Sequence, residues 1–201
     1  GGFGGISGPN PEGLLGQVWV AAHPAKPGHV YILASVTTYN DPAEVMFVRS
    51  VDGGQTWSFP RRVNDDVFGN SAYQWFGTLS VAPNGRLDAT WNDTRTNNDP
   101  TRSAVFHSYS MDEGQTWSDS EQVSPVFDSH LGWPRQSKLG DYAHQISDDF
   151  GVNLAYAATF NGEQDVYFLR INQDCNANGL SDECDLSCGA LAGLCKVPGC
   201  G

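Results

Sequence analysis

The chain has 201 residues, 23 of them glycine, 11 proline and 6 tryptophan, and its 23 acidic side chains outnumber 11 basic ones for a net charge of −12. That length suits one domain, or one domain with a small module, and suffices to bury roughly 70% of the unfolded surface. The acidic surplus offers nothing to phosphates, which argues against nucleic acid and anionic membrane surfaces as partners, and no apolar run approaches the ~20 residues of a membrane span.

Residues 1–17 are Gly/Pro-rich and aperiodic and read as linker or loop. The opening Gly1-Gly2-Phe3-Gly4-Gly5, without Met or signal peptide, reads as a fragment or a processed chain. From Gln17 to Ile171 the pattern is strand after strand: short runs rich in Val, Phe and Tyr, such as 29–37, 44–50, 104–110 and 165–171, bounded by turn residues. No window shows a helical period. Several runs are apolar on both faces. Val45 and Phe47 oppose Met46 and Val48, and Val166 and Phe168 oppose Tyr167 and Leu169, so these strands are expected between other sheets.

One internal repeat organises the chain. Ser50-Val51-Asp52-Gly53-Gly54-Gln55-Thr56-Trp57-Ser58 recurs sixty residues later as Ser110-Met111-Asp112-Glu113-Gly114-Gln115-Thr116-Trp117-Ser118, matching at seven of nine positions. Each copy reads as a tight hairpin: the Asp carboxylate accepts backbone N–H groups of the turn, Gly supplies a positive φ, and Trp returns onto the sheet. The pattern S-x-D-x-G-x-T-W resembles the Asp-box (BNR repeat) of sialidase-type β-propellers. The resemblance implies an all-β fold of radially stacked four-stranded antiparallel blades, about three of them, or half of a six-bladed ring. They would run from about 18 to 63, 77 to 123 and 142 to 171, within a propeller unit 18–173. Blade two reads as strands near 78–82, 86–91, 103–110 and 116–123, with a hairpin through Pro83-Asn84-Gly85; blade three shows no clear fourth strand or Asp-box. Open sheet faces and edges then require missing blades or a second copy to complete the ring.

The strand order puts the short turns and both Asp-boxes on one side, where Asp52 and Asp112 serve folding. The longer connections 38–43, 64–76, 92–102 and 124–141 fall on the other side. Those loops are polar and aromatic, which suits sugar recognition. Family members use a Tyr nucleophile with a nearby Glu, an Asp acid/base and an Arg clamp for the substrate carboxylate. The R-I-P motif that carries the first such Arg has no match here, for Phe59-Pro60-Arg61-Arg62-Val63 departs from it. Arg95, Arg102 and Arg135 fall in loops on that side; Glu44 and Glu163 are the few nearby glutamates. By resemblance the candidate catalytic residues are Asp93 and Arg95, which end a strand, and Asp141 and Tyr142, which begin one. Asp93–Arg95 equally reads as a local salt bridge holding its loop. His107 reads as packing within a strand, and the other histidines lack metal-ligand spacing.

All five cysteines lie between Cys175 and Cys200, in a tail module spanning 174–201, which points to an oxidising, extracellular or cell-surface location. Residues 174–185 fit D-x-N-x-N-G-x-x-D-x-x-D. Side-chain ligands would be Asp174, Asn176, Asn178, Asp182 and Asp185, with the Leu180 backbone carbonyl at position 7 and Gly179 at position 6. The loop resembles those of dockerins and thrombospondin type-3 repeats and implies Ca²⁺ held weakly, on the order of 10⁻⁴–10⁻³ M. Asp185 is shorter than the usual bidentate Glu, and the second loop of a dockerin is missing. Three functions are compatible with these features: a secreted sialidase-like hydrolase acting on glycans, a non-catalytic propeller binding glycans or glycoproteins, and an adhesive scaffold attached through its calcium tail.

Overall fold

The structure is a computed structural model, and it describes residues 8–96, 99–131 and 138–172. These residues form twelve strands and no helix. The first sheet has the order β1 (Trp19–Ala22), β2 (Val30–Val36), β3 (Glu44–Ser50), β4 (Arg61–Arg62). The second follows as β5 (Gln74–Val81), β6 (Leu87–Asp93), β7 (Arg102–Ser110), β8 (Glu121–Gln122), with β9 (Phe127–Asp128) also pairing β7. The third is β10 (Ala143–Asp148), β11 (Gly151–Ala158), β12 (Asp165–Asn172). All strand pairs are antiparallel and each sheet is a meander. The first strands β1, β5 and β10 share one open channel, so the sheets fan out from it as consecutive propeller blades.

Two cores fasten the blades. Tyr31, Leu33, Val45 and Phe47 of blade one pack against Leu87, Ala89 and Trp91 of blade two. Trp75, Phe76 and Val105 of blade two pack against Leu139, Leu154 and Tyr156 at blade three. β6 lies between both neighbours and is buried along its whole length: Leu87, Ala89 and Trp91 join the core toward blade one, and Asp88 and Thr90 on the other face are hydrogen-bonded to Ser147 and Gln145 of blade three. β12 departs from the two-sided burial expected of it: its face carrying Val166 and Phe168 is 74% and 71% exposed, because no blade follows it among the described residues.

The two Asp-box turns match bond for bond. Asp52 Oδ1 accepts the Thr56 N–H at 2.9 Å and the Ser50 hydroxyl at 2.7 Å, and Asp112 Oδ1 accepts Thr116 N–H and Ser110 hydroxyl at 2.8 Å each. In the same way Ser50 Oγ and Ser110 Oγ accept the N–H of Gly54 and Gly114. The tryptophans differ. Trp117 lies edge-on against Phe47 of blade one, ring centres 5.3 Å apart. Trp57 is 41% exposed and its Nε1 donates to its own turn at Gly54 O. The expected return of the Trp onto a sheet thus holds for one copy only, because a neighbouring blade is needed to receive it.

Short turns gather at one end of the blades: Gly53 N–H donates to Gly28 O, Glu113 accepts Lys26 and His29, and Asn84 N–H donates to Asp149. β5 begins four residues before the expected start and carries a bulge between Trp75 and Thr78. There Phe76 takes a left-handed φ of 55° and its N–H donates to Leu15 O. The segment 8–17 therefore runs strandless but is packed down. Asn10 is fully buried, donates to Leu14 O and accepts the Leu139 N–H.

Candidate functional site

The loops after β2, β4 and β6 are braced together by one polar cluster. β6 ends at Asp93, which is fully buried. Its Oδ2 accepts Trp91 Nε1–H and Arg95 Nε–H, both at 2.8 Å, and its Oδ1 accepts the Arg95 backbone N–H, an Asx turn that reverses the chain. Arg95 Nη1 donates onward to Asp65 at 2.6 Å and to Ser120, and its guanidinium lies 4.7 Å from the centre of the Phe106 ring. Asp66 accepts Arg62, Asn64 and Asn70 at 2.7 Å each, and buried Glu44 accepts Arg62 and Asn64. Asp41 accepts the N–H groups of Gly69 and Ser71, tying loop 38–43 to loop 64–73.

Charge in this cluster is set by burial and by the two guanidiniums. Burial pushes the Asp93 carboxyl above the usual carboxylate value despite Arg95 and Trp91, and it does the same to Glu44 despite Asn64 and Arg62. Burial also acts on Asp65, but the Ser120 bonds and Arg95 outweigh it and hold Asp65 at about 2. Asp93 takes both the backbone N–H and the Nε–H of Arg95, which is the arrangement of a loop brace, while Arg95 Nη2 is buried without a hydrogen-bond partner. The side chain of this cluster that meets solvent most is Asp65, 40% exposed.

Asp141 and Tyr142 open β10 at a different place. Asp141 accepts Lys138 Nζ at 2.7 Å and Asn10 Nδ2 at 3.2 Å, and its backbone carbonyl accepts Gln17 Nε2. Tyr142 is 80% exposed. Its ring edges a groove of about 290 Å³ lined by Gln17, Trp19, Asp141, His144 and Val166. Trp19 and His144 line it in contact with each other, ring centres 5.6 Å apart and planes tilted by 39°. Among the described residues neither Arg nor Glu lines this groove. No hydrogen bond joins Asp93–Arg95 to Asp141–Tyr142, so the four candidates form two separate pairs. Arg102 reaches Asp128 at 3.8 Å; Arg135 and the loop 174–185, with its proposed Ca²⁺ ligands, lie outside the described residues.

A third cluster escaped sequence reasoning. Arg86 is 1% exposed and its Nε donates to both oxygens of Asp88 at 3.0 Å, while Nη1 and Nη2 donate to the carbonyls of Asp149, Asp148 and Gly151 across the blade boundary. His107 is not plain packing, since its Nε2 sits 3.1 Å from Asp88 Oδ1. Burial alone would raise the Asp88 carboxyl; His107 and Arg86 reverse that and hold it below its ordinary value. The available signal was Arg86-x-Asp88, two residues apart on one strand face.

No family model matches the chain, and no curated protein matches it. Solved structures do. A protein of unknown function from Dyadobacter fermentans aligns over 83% of this chain and 39% of its own at 16% identity, with a TM-score of 0.52. A Hadza microbial sialidase aligns over 76% of this chain and 30% of its own at 17% identity and 0.48, and a mutant NanB sialidase from Streptococcus pneumoniae over 71% and 22% at 14% and 0.38. The chain spans less than two-fifths of each of these chains. At such identities the likeness is one of fold alone.

Proposed function

We propose that this chain is part of a sialidase-like propeller that binds glycans in the groove beside Tyr142, in an extracellular setting. The observation that carries the reading is the exposed Tyr142 ring at the rim of a groove walled by Trp19 and His144, with the Asp141 carboxylate held at its edge. Aromatic faces accept the C–H face of a sugar ring, and a fixed carboxylate accepts its hydroxyls, which is the usual division of labour in a small-ligand site. The Asp-box pair and the blade architecture support it as context; fold by itself does not fix function. Binding is favoured over hydrolysis because the described residues lining the groove include neither Glu nor Arg, whereas a Tyr nucleophile needs a base and a carboxylate clamp. The D-x-N-x-N-G spacing at 174–185 supports a bound Ca²⁺ in the tail, and titration calorimetry with millimolar Ca²⁺ tests it: an absence of heat at 10 mM removes that part of the reading.

The test is calorimetry against sialylated and neutral oligosaccharides, with a fluorogenic sialoside assay alongside. The reading predicts saturable binding that Tyr142→Ala weakens at least tenfold without altering the melting temperature. Full-strength binding by Tyr142→Ala, or binding to no glycan by the wild type, overturns it. Release of the fluorophore, lost in Tyr142→Phe, would instead establish the hydrolytic alternative.

A further inference from the structure

A second cavity opens between blades two and three and shares no described lining residue with the Tyr142 groove. Asp88, His107, Tyr109 and Glu121 of blade two face Ile171 and Asn172 of blade three across it. Its volume is about 80 Å³, several times the roughly 10–15 Å³ that one water needs. The strand pattern explains its aromatic wall. His107 and Tyr109 lie two residues apart on β7 and so share a face. Their rings lie nearly parallel, 25° apart in plane with centres at 6.2 Å. Glu121 of β8 is the register partner of His107, which puts it at the exposed edge of the same face.

His107 is 9% exposed, yet half of its polar capacity is unused. Its Nε2 sits 3.1 Å from Asp88 Oδ1, and that carboxyl stays ionised because His107 and Arg86 outweigh its burial. In the neutral ring the proton is therefore on Nε2, and Nδ1 keeps a lone pair. No group among the described residues bonds Nδ1, and the ring lines the cavity. The cations nearby are already committed. Arg86 spends its donors on Asp88 and on the carbonyls of Asp148, Asp149 and Gly151. Arg170, next to Ile171, is held by Asp148 and Asn172. Glu121 forms no ion pair among the described residues. The cavity thus presents a buried acceptor, an aromatic wall and one uncompensated negative charge.

We propose that this cavity binds the head of a small organic cation bearing N–H groups, a guanidinium or an ammonium. One N–H is donated to His107 Nδ1, the charge is set against Glu121, and the head rests on the Tyr109 ring. The net charge of −12 favours the approach of such a ligand.

Titration of the isotope-labelled full chain with methylguanidinium, followed by NMR, tests this. Saturable binding with a dissociation constant of about 1 mM is expected, and the His107 Nδ1 resonance should move as it accepts the N–H. Methylurea has the same shape without the charge, and tetramethylammonium has the charge without N–H donors. Each should bind at least fivefold more weakly. Glu121→Gln, at an exposed position, should weaken methylguanidinium at least fivefold while the rest of the spectrum stays unchanged. Shifts that grow without saturating, a His107 resonance that stays still, either control ligand binding as tightly, or undiminished affinity in Glu121→Gln would each overturn the proposal.

Discussion

Replacing Arg86 by Met keeps the volume of the side chain and removes its donors. In the folded protein the guanidinium is 1% exposed, bonds both oxygens of Asp88, and ties three carbonyls of the β10–β11 turn to blade two. The substitution leaves a buried carboxylate without its cation and strands those carbonyls away from water. Breaking a buried pair by removing one partner costs about 3–5 kcal/mol, and about 4 kcal/mol is expected here because His107 and Ser147 still serve Asp88. Against a total stability of about 5–15 kcal/mol, that is a large share. Urea unfolding should show a midpoint lowered by about 2 M at unchanged slope, taking a slope of about 2 kcal/mol per molar. The loss should depend on pH in a definite direction. In the wild type the Asp88 carboxyl is held below its ordinary 3.8, so its contribution is present above that value and fades as pH falls through the folded pKa. Without Arg86 the carboxyl takes up its proton at higher pH, and the deficit of the variant should shrink on acidification. A loss under about 1 kcal/mol, or one that is the same at pH 7 and pH 3, would refute the claim that this pair fastens blade three.

Further outcomes follow from the same contacts. Gly114→Ala should destabilise far more than Gly54→Ala in urea titrations: both glycines have positive φ, but only Gly114 is pressed against Phe47, while the nearest atom to a Gly54 Cβ is 3.6 Å away. Equal losses would contradict the seating of the second Asp-box. Asp52, Asp65 and Asp148 are depressed from 3.8 to about 2, chiefly by the Thr56 bonds, by Ser120 and Arg95 against burial, and by Arg170 respectively. Their stabilisation is complete above the unfolded value and lost as pH falls through the folded one, so acid unfolding should steepen between about pH 4 and pH 2. A transition centred above pH 5 would contradict this. Asp93→Asn should lower stability by about 1–3 kcal/mol, because Arg95 loses its buried counter-charge, while leaving glycan affinity within twofold. A tenfold affinity loss at unchanged stability would return Asp93 to the binding site.

What the sequence discloses is mostly local. The Asp-box turns could be read because the bonds of their Ser and Asp side chains close within seven residues, from Ser50 to Thr56. The strand runs could be read because a pleat alternates every residue, and the Asp93–Arg95 bridge because it spans two. Where partners are distant in the chain, the reading fails. Asn10 meets Leu139 across 129 residues, and Arg86 meets the carbonyls near Asp148 across more than sixty. Nothing in the composition of residues 8–17 marks a loop that is pinned to blade three. The exposure of Trp57 and Phe168 was hidden for the converse reason: identical motifs are buried or bare according to which neighbour follows, and a motif does not carry that information.

Seating of one blade's corner on the preceding blade underlies the whole architecture, and a double-mutant cycle on Phe47 and Trp117 measures it directly. With Phe47→Ala, Trp117→Ala and the pair compared by chemical denaturation, the T-shaped contact at 5.3 Å predicts a coupling of about 0.5–1.5 kcal/mol beyond the two separate losses. Strict additivity would show that the two rings never meet, and that the blades are not stacked in this way.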